Sequence, residues 1–235
     1  MTHEVVVNQK VIQFRLRYSS RRKTLGIEVH PGGRIEVIAP KDTALEVVEE
    51  RVRLRARWIW KQLSYFRRYA SVTTPRQFLR GETHRYLGRQ YRLRLTKDTR
   101  PKVTMTRGWL EVASPDLKDR ERISALVGHW YRIHAKACFQ EVLIALQPPL
   151  LRKGYPSPKI IVRVMASRWG SLSPKGTMTL NLRLIQAPKA CIEYVILHEL
   201  CHLIHKTHSL QFFALLRRYM PDWEKRKQRL EKALL

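Results

Sequence analysis

The sequence predicts an α+β fold, in which a β-rich N-terminal region precedes a helical region that carries a small antiparallel sheet. Two observations predict this class. Short runs of alternating apolar and polar residues, bounded by turn residues, recur over residues 1–113. Longer stretches with apolar residues at helical spacing become frequent towards the C-terminus. We expect three segments, residues 1–75, 76–158 and 159–235, that together form one compact unit.

Three strands and a helical stretch are expected in the first segment. The strands are Val5–Tyr18, Leu25–His30 and Arg34–Ala39. Pro31-Gly32-Gly33 joins the last two strands as a hairpin. Residues 43–69 predict either one long helix or a broken pair of helices, which ends before Pro75.

Four short strands and a second long helix are expected in the middle segment. The strands are Thr83–Tyr86, Arg89–Leu95, Lys102–Thr106 and Trp109–Val112. Arg107-Gly108 predicts a turn between the last two strands. The helix covers Leu117–Leu146 and is closed by Pro148-Pro149.

The third segment should contain two strands and then a helix. The strands cover Ile160–Met165 and Thr177–Leu184, and we expect the second to offer its edge to an extended peptide. Between them, Gly170 would make a turn and Trp169 would pack over the core. A continuous helix over Cys191–Lys206 follows.

This helix contains the sequence His-Glu-Leu-Cys-His, which has H-E-x-x-H spacing. Residues four apart lie one turn apart on one helix face, so the imidazoles of His198 and His202 can point at one metal ion. Glu199 lies beside them, within reach of a water molecule that the metal activates. The spacing therefore predicts a zinc site with Glu199 as the catalytic acid and base.

A third metal ligand must come from outside this pair. His208 precedes Ser209, a good N-cap for a second helix that stops before Pro221, and a ligand at such a junction is well fixed. His205 is the alternative, but it lies one further helical turn along, which would place it beyond the ion. We favour His208. Two further histidines, His129 and His134, are weaker candidates that suit packing or surface roles.

Several motifs extend beyond the histidine-bearing helix. They are Ser167-Arg168-Trp169-Gly170-Ser171, Leu180-Asn181-Leu182-Arg183-Leu184, Tyr194–His202, His208-Ser209, and the N-terminal segments Arg21–Ile27 and Gly81–Gly88. Together they resemble the YgjP-like metallopeptidase family, which is related to SprT/Spartan-like and WLM zinc proteases that act on proteins attached to DNA. The resemblance covers nearly the whole chain. It implies a zincin-like metalloprotease domain, with zinc on His198, His202 and His208 and catalysis by Glu199. One departure is Leu172, where the family commonly has cysteine.

The chain is strongly basic along its whole length. It has 46 Lys and Arg against 19 Asp and Glu, a formal net charge of +27. A folded body with this charge attracts polyanions, and nucleic acid is the leading candidate partner. Arg53, Arg57, Arg67 and Arg68 lie among aromatic residues and would contact the nucleic-acid backbone. The alternative is that they are simply the solvated face of an amphipathic helix.

The three cysteines, Cys138, Cys191 and Cys201, form no C-x-x-C pair, and their odd number does not indicate a disulfide framework. No stretch reaches the roughly 18 apolar residues that span a bilayer. The first residues lack a charged leader followed by an apolar core. We expect a cytoplasmic protein without a membrane partner.

The expected activity is hydrolysis of peptide bonds by a metal-activated water, with nucleic-acid-associated proteins as candidate substrates. The residue that stabilises the developing oxyanion is one of four candidates. They are Tyr155, Arg168, Tyr194 and Tyr219. Two alternatives stay open. One is a non-enzymatic, zinc-containing nucleic-acid-binding module, and the other is a metal-dependent hydrolase of a non-peptide substrate.

Overall fold

The structure of the chain, a computed structural model, describes residues 2–20, 22–30, 33–69, 76–148, 154–165 and 168–234, with the backbone alone for residues 65–69 and 234. The chain divides into two units, residues 1–72 and 73–234. Each unit contains both sheet and helix, so the predicted α+β class is confirmed.

The N-terminal unit is a four-stranded sheet covered by two helices. Its strands are β1 (Thr2–Val7), β2 (Lys10–Ser19), β3 (Gly26–Val29) and β4 (Ile35–Pro40). They lie in the order β1-β2-β4-β3, and only the β2–β4 pair is parallel. Helices α1 (Leu45–Leu54) and α2 (Ala56–Tyr69) follow, so the helical stretch is a broken pair. Val48, Val52 and Ile59, at helical spacing, are fully buried in the core of this unit.

The predicted strand Val5–Tyr18 is wrong, because the chain reverses within it. Asn8 and Gln9 have φ values of 46° and 61°. Two successive positive φ angles make the tight turn that matches the twist of a hairpin, and asparagine tolerates this conformation well. The result is the β1–β2 hairpin. Of the second predicted turn, Pro31 and Gly32 lie outside the described residues, but β3 and β4 pair antiparallel across it.

The C-terminal unit begins with the same topology. Strands β5 (Thr83–Tyr86), β6 (Arg89–Lys97), β7 (Lys102–Thr106) and β8 (Trp109–Ser114) lie in the order β5-β6-β8-β7, again with only the middle pair parallel. Helix α3 (Arg120–Leu146) follows, and the Asp119 side chain caps it by accepting a hydrogen bond from the Arg122 amide.

A three-stranded sheet and three helices complete this unit. The strands are β9 (Lys159–Arg163), β10 (Gly170–Leu172) and β11 (Thr177–Asn181), and the helices are α4 (Lys189–Cys201), α5 (Leu210–Tyr219) and α6 (Trp223–Leu234). The expectation of a wholly antiparallel sheet is wrong, because β11 lies between its neighbours, antiparallel to β10 and parallel to β9. The expectation that this strand offers a free edge is wrong for the same reason. Its predicted last residues instead form a 3₁₀ helix, Leu182–Gln186.

Helix α4 is the central element of the C-terminal unit. Nine of its 13 residues are buried, so it is a core helix rather than a surface helix that happens to carry histidines. Its start is fixed by the β5–β6 turn. Leu87 and Gly88 donate backbone hydrogen bonds to the 3₁₀ helix, and Gly88 lies so close to Pro188 that a Cβ atom there would be 2.8 Å from the proline ring. None of the described helices combines the length and apolarity that a bilayer span requires.

Candidate metal and catalytic site

Three histidine side chains converge at the C-terminal end of α4. His198 lies in the last turn, His202 directly follows the helix, and His208 lies in the loop before α5. Their ligand nitrogens all lie within 4.8 Å of one another, and the Nε2 atoms of His198 and His208 are 3.0 Å apart. Three imidazoles form a donor set that suits zinc in sites that keep a position open. Over the described part of the chain, no other group of His, Cys, Asp or Glu converges in this way.

The loop after α4 explains why His208 can reach this point. The helix was expected to continue to Lys206, but it ends at Cys201. The amides of His202, Leu203 and Ile204 donate to carbonyl groups only three residues earlier, which tightens the last turn and reverses the chain. The structure therefore brings His208, and not His205, to the other two histidines. His134 also lies elsewhere, because it stacks on Trp130 with 4.1 Å between ring centroids.

Hydrogen bonding and burial keep the cluster in a form that can bind a metal. The Nδ1 atom of His202 is 2.9 Å from the His205 carbonyl oxygen and donates to it, so in the neutral ring Nε2 is the nitrogen left to bind a metal. Burial, then the neighbouring His202 and His208, lowers the pKa of His198 to about 3. Burial also lowers the pKa of His208. Neutral imidazoles at neutral pH are the form that coordinates metal ions.

Glu199 is a buried carboxyl group beside these rings, with 7% of its surface exposed. Burial raises its pKa from 4.5 to about 7, and the Arg168 guanidinium and a backbone hydrogen bond from Leu172 oppose that rise. A carboxyl group with a pKa near the working pH can both accept and donate a proton. Glu199 is therefore suited to proton transfer in the metal-free site.

Gly170 is the residue that lets strand β10 approach this carboxyl group. A Cβ atom at position 170 would lie 2.8 Å from Oε1 and 2.9 Å from Cγ of Glu199, closer than side chains pack. Gly170 was expected to make a turn, but it lies in a strand, and the requirement for glycine is the close contact. Trp169 packs against the hydrophobic core, as expected.

Asn181 holds the strand and the preceding loop together, a role that sequence reasoning missed. Its side-chain amide donates to the carbonyl oxygens of Met165, at 2.8 Å, and Arg168, at 3.0 Å. Its side-chain oxygen accepts from the Arg183 amide, and its own amide donates to the Trp169 carbonyl. The one available clue was a lone amide side chain at the end of an apolar strand, since a buried polar group needs such partners.

An open cleft of about 700 Å³ contains the cluster. Its described lining combines the three histidines and Glu199 with all of β10 and two cations, Arg168 and Lys206. Of the four candidates for stabilising an oxyanion, Arg168 lines this cleft, whereas the three tyrosines are not part of its described lining. Tyr194 is instead buried, with its ring 5.8 Å from that of His198.

The four arginines expected to bind nucleic acid all lie in the N-terminal unit. Arg53 forms ion pairs with Glu49 and Glu50, at 3.2 and 3.7 Å. Arg57 is exposed on α2. The side chains of Arg67 and Arg68 lie outside the described residues.

One family model matches most of the chain. The model of the YgjP-like metallopeptidase domain matches residues 23–233. Among solved structures, the zymogen of the metallopeptidase jannalysin from Methanocaldococcus jannaschii is 26% identical, and the match covers 43% of this chain and 96% of that one with a TM-score of 0.34. The curated proteins give no match. A metallopeptidase uses a divalent metal and acts on protein or peptide, which agrees with the cluster described above. The chain belongs to the YgjP-like metallopeptidase family.

Proposed function

We propose that the chain is a zinc-dependent peptidase in which His198, His202 and His208 hold the metal and Glu199 is the catalytic acid and base. The observation that carries this proposal is the convergence of three imidazoles beside a buried carboxyl group in an open cleft. When bound, zinc would polarise the substrate carbonyl and lower the pKa of a water molecule. Nitrogens that share one tetrahedral zinc ion lie about 3.4 Å apart, so the observed separations, all within 4.8 Å, require side-chain movements of about 1 Å.

Glu199 moves the proton in this proposal. Its carboxylate accepts a proton from the attacking water and then passes that proton to the leaving amine. The Leu172 backbone hydrogen bond and the close contact with Gly170 hold the carboxylate in place. Arg168 supplies positive charge in the same cleft and stabilises the negative charge that develops on the carbonyl oxygen.

Strand β10 is the proposed docking edge for the substrate. It pairs with β11 along one side, no described strand pairs with its other side, and all three of its residues line the cleft. A peptide added along this edge would be held mainly by main-chain hydrogen bonds, which gives low sequence preference. The sequence predicted β11 as the docking strand, and the proposal now assigns this role to its neighbour β10.

Substitution of single residues tests the site. Zinc-loaded Glu199→Gln should bind zinc as the wild-type protein does and cleave casein at least about 100-fold more slowly. His198→Ala and His208→Ala should lose both zinc and cleavage. His205→Ala is the matched control, because only its backbone carbonyl contacts the cluster, so it should keep both. Loss of zinc in the His205 variant with retention in the His208 variant would overturn the ligand assignment.

A non-enzymatic zinc module is the less favoured alternative. A structural zinc site is closed by four protein ligands, whereas the described residues bring three together and leave them facing a cleft. Cleavage by the wild-type protein and not by Glu199→Gln excludes this alternative.

The charge of the chain supports association with nucleic acid. A net charge of +27 favours substrates that are themselves bound to a polyanion, and cleavage of a basic DNA-bound protein should increase when single-stranded DNA is added.

All three cysteines are buried and unpaired, which supports a reducing, cytoplasmic location.

A further inference from the structure

A second concave surface lies in the N-terminal unit, where the peptidase proposal assigns no role. It is a groove of about 630 Å³ between the chain entering β3 and the outer face of α1 and α2. Leu25 and Val47 form apolar walls, and Val47 is exposed to solvent. Trp58 lines the same groove with 38% of its surface exposed. A concave surface with an exposed indole can accommodate a planar ring.

Three cations line this groove, and none of its described lining residues is acidic. Lys23 comes from the chain before β3, while Arg51 and Arg55 lie one helical turn apart on the opposite side. Among the described residues, these three side chains form no ion pair, whereas the adjacent Arg53 is held by two glutamates. Their charges are therefore available to an anionic ligand.

We propose that this groove binds single-stranded nucleic acid, with Lys23, Arg51 and Arg55 on phosphates and Trp58 stacked on a base. Guanidinium groups suit phosphate oxygens, and an exposed indole in the same groove supplies a flat face on which an unpaired base stacks. A duplex hides its base faces, so its phosphates would contact the cations and Trp58 would have no base to stack on. An acidic peptide is the competing occupant, but carboxylates need no exposed aromatic face.

This inference rests on the proposed association with nucleic acid and names the surface that provides it. It also changes which arginines matter. The sequence singled out Arg53 and Arg57, yet neither lines the groove, while Arg51 and Arg55 from the same stretch do. These two pairs have equal charge and neighbouring positions, so they form matched test and control variants.

The test is fluorescence anisotropy of the full-length chain with a labelled oligothymidylate of about 15 nucleotides. Arg51→Ala/Arg55→Ala should weaken binding about tenfold and reduce the slope of log affinity against log salt by about 1.4, roughly 0.7 per phosphate contact. Arg53→Ala/Arg57→Ala should stay within about twofold of wild type. Trp58→Ala should weaken binding about tenfold, and Trp58→Phe, which keeps a stacking ring, should restore most of it.

Two results would overturn the inference. Equal loss of affinity in both double-arginine variants would mean that binding follows net charge and not the groove. Competition by a polyglutamate peptide as effective as that by unlabelled oligothymidylate would identify an acidic protein as the occupant.

The peptidase assay separates this inference from the proposed function. The groove variants should cleave casein at the wild-type rate without DNA, and Glu199→Gln should bind oligothymidylate like the wild-type chain. Groove-dependent binding by a chain that cleaves nothing would leave the inference standing and remove the peptidase proposal.

Discussion

Replacing Gly170 with alanine should impair catalysis without removing the metal. The added Cβ atom would lie 2.8 Å from Oε1 of Glu199, whereas ordinary contacts begin at about 3.4 Å, so the carboxyl group or strand β10 must move by at least about 0.6 Å. Misplacement of a catalytic group by about 1 Å can lower the rate about 100-fold. We therefore expect Gly170→Ala to lower kcat about 10- to 100-fold and the free energy of unfolding by about 1–3 kcal/mol.

The assay is steady-state cleavage of a fluorogenic peptide, with zinc content measured on the same samples. Gly128→Ala is the control, because the nearest atom to its added Cβ would be 3.8 Å away and belongs to the flexible Arg132 side chain. It should leave kcat unchanged and stabilise helix α3 by about 0.5–1 kcal/mol. A Gly170→Ala variant with wild-type kcat would show that the contact between β10 and Glu199 has no catalytic importance.

Three further outcomes follow from the same site. Arg168→Ala should lower kcat about 100-fold with little change in KM. It should also move the acidic limb of the pH–rate profile to higher pH, because Arg168 lowers the pKa of Glu199. An unchanged profile would contradict this. Asn181→Ala should cost about 1–3 kcal/mol in thermal unfolding and also slow cleavage, whereas a loss of stability alone would assign it a purely structural role. In the metal-free protein, burial raises the Glu199 pKa from 4.5 to about 7, so ionisation destabilises the fold as pH rises between these values. Glu199→Gln should therefore be more stable than the wild-type protein above pH 7, by on the order of 3 kcal/mol. This difference should vanish below pH 4.5, the pKa of the unfolded chain. Equal stability at all pH values would refute the burial argument.

The local elements were predictable where one residue pattern decided them. The H-E-x-x-H helix follows from the spacing of His198 and His202 on an otherwise apolar helix. Ser209 was expected to cap the next helix, and its side chain accepts the Phe212 amide hydrogen bond. The β7–β8 pair was predictable because Gly108, with a φ of 88°, marks its turn.

Features that depend on contacts between distant segments could not be predicted. Strand order is one of them, since nothing local states that β11 lies between β9 and β10. The function of Gly170 is another, because its close neighbour is 29 positions away in the sequence, at Glu199. The turn between β1 and β2 was not predicted, for a different reason. Asn8-Gln9 lacks the glycine that usually marks such turns, and apolar residues lie close on both sides of it.

An anomalous difference map at the zinc absorption edge, from a crystal of the zinc-loaded protein, tests the central proposal most directly. One peak should appear about 2.1 Å from a ring nitrogen of each of His198, His202 and His208, with no fourth protein ligand and with the Glu199 carboxylate beside the open position. A peak on other residues, or a fourth protein ligand that closes the site, would contradict the proposed catalytic zinc.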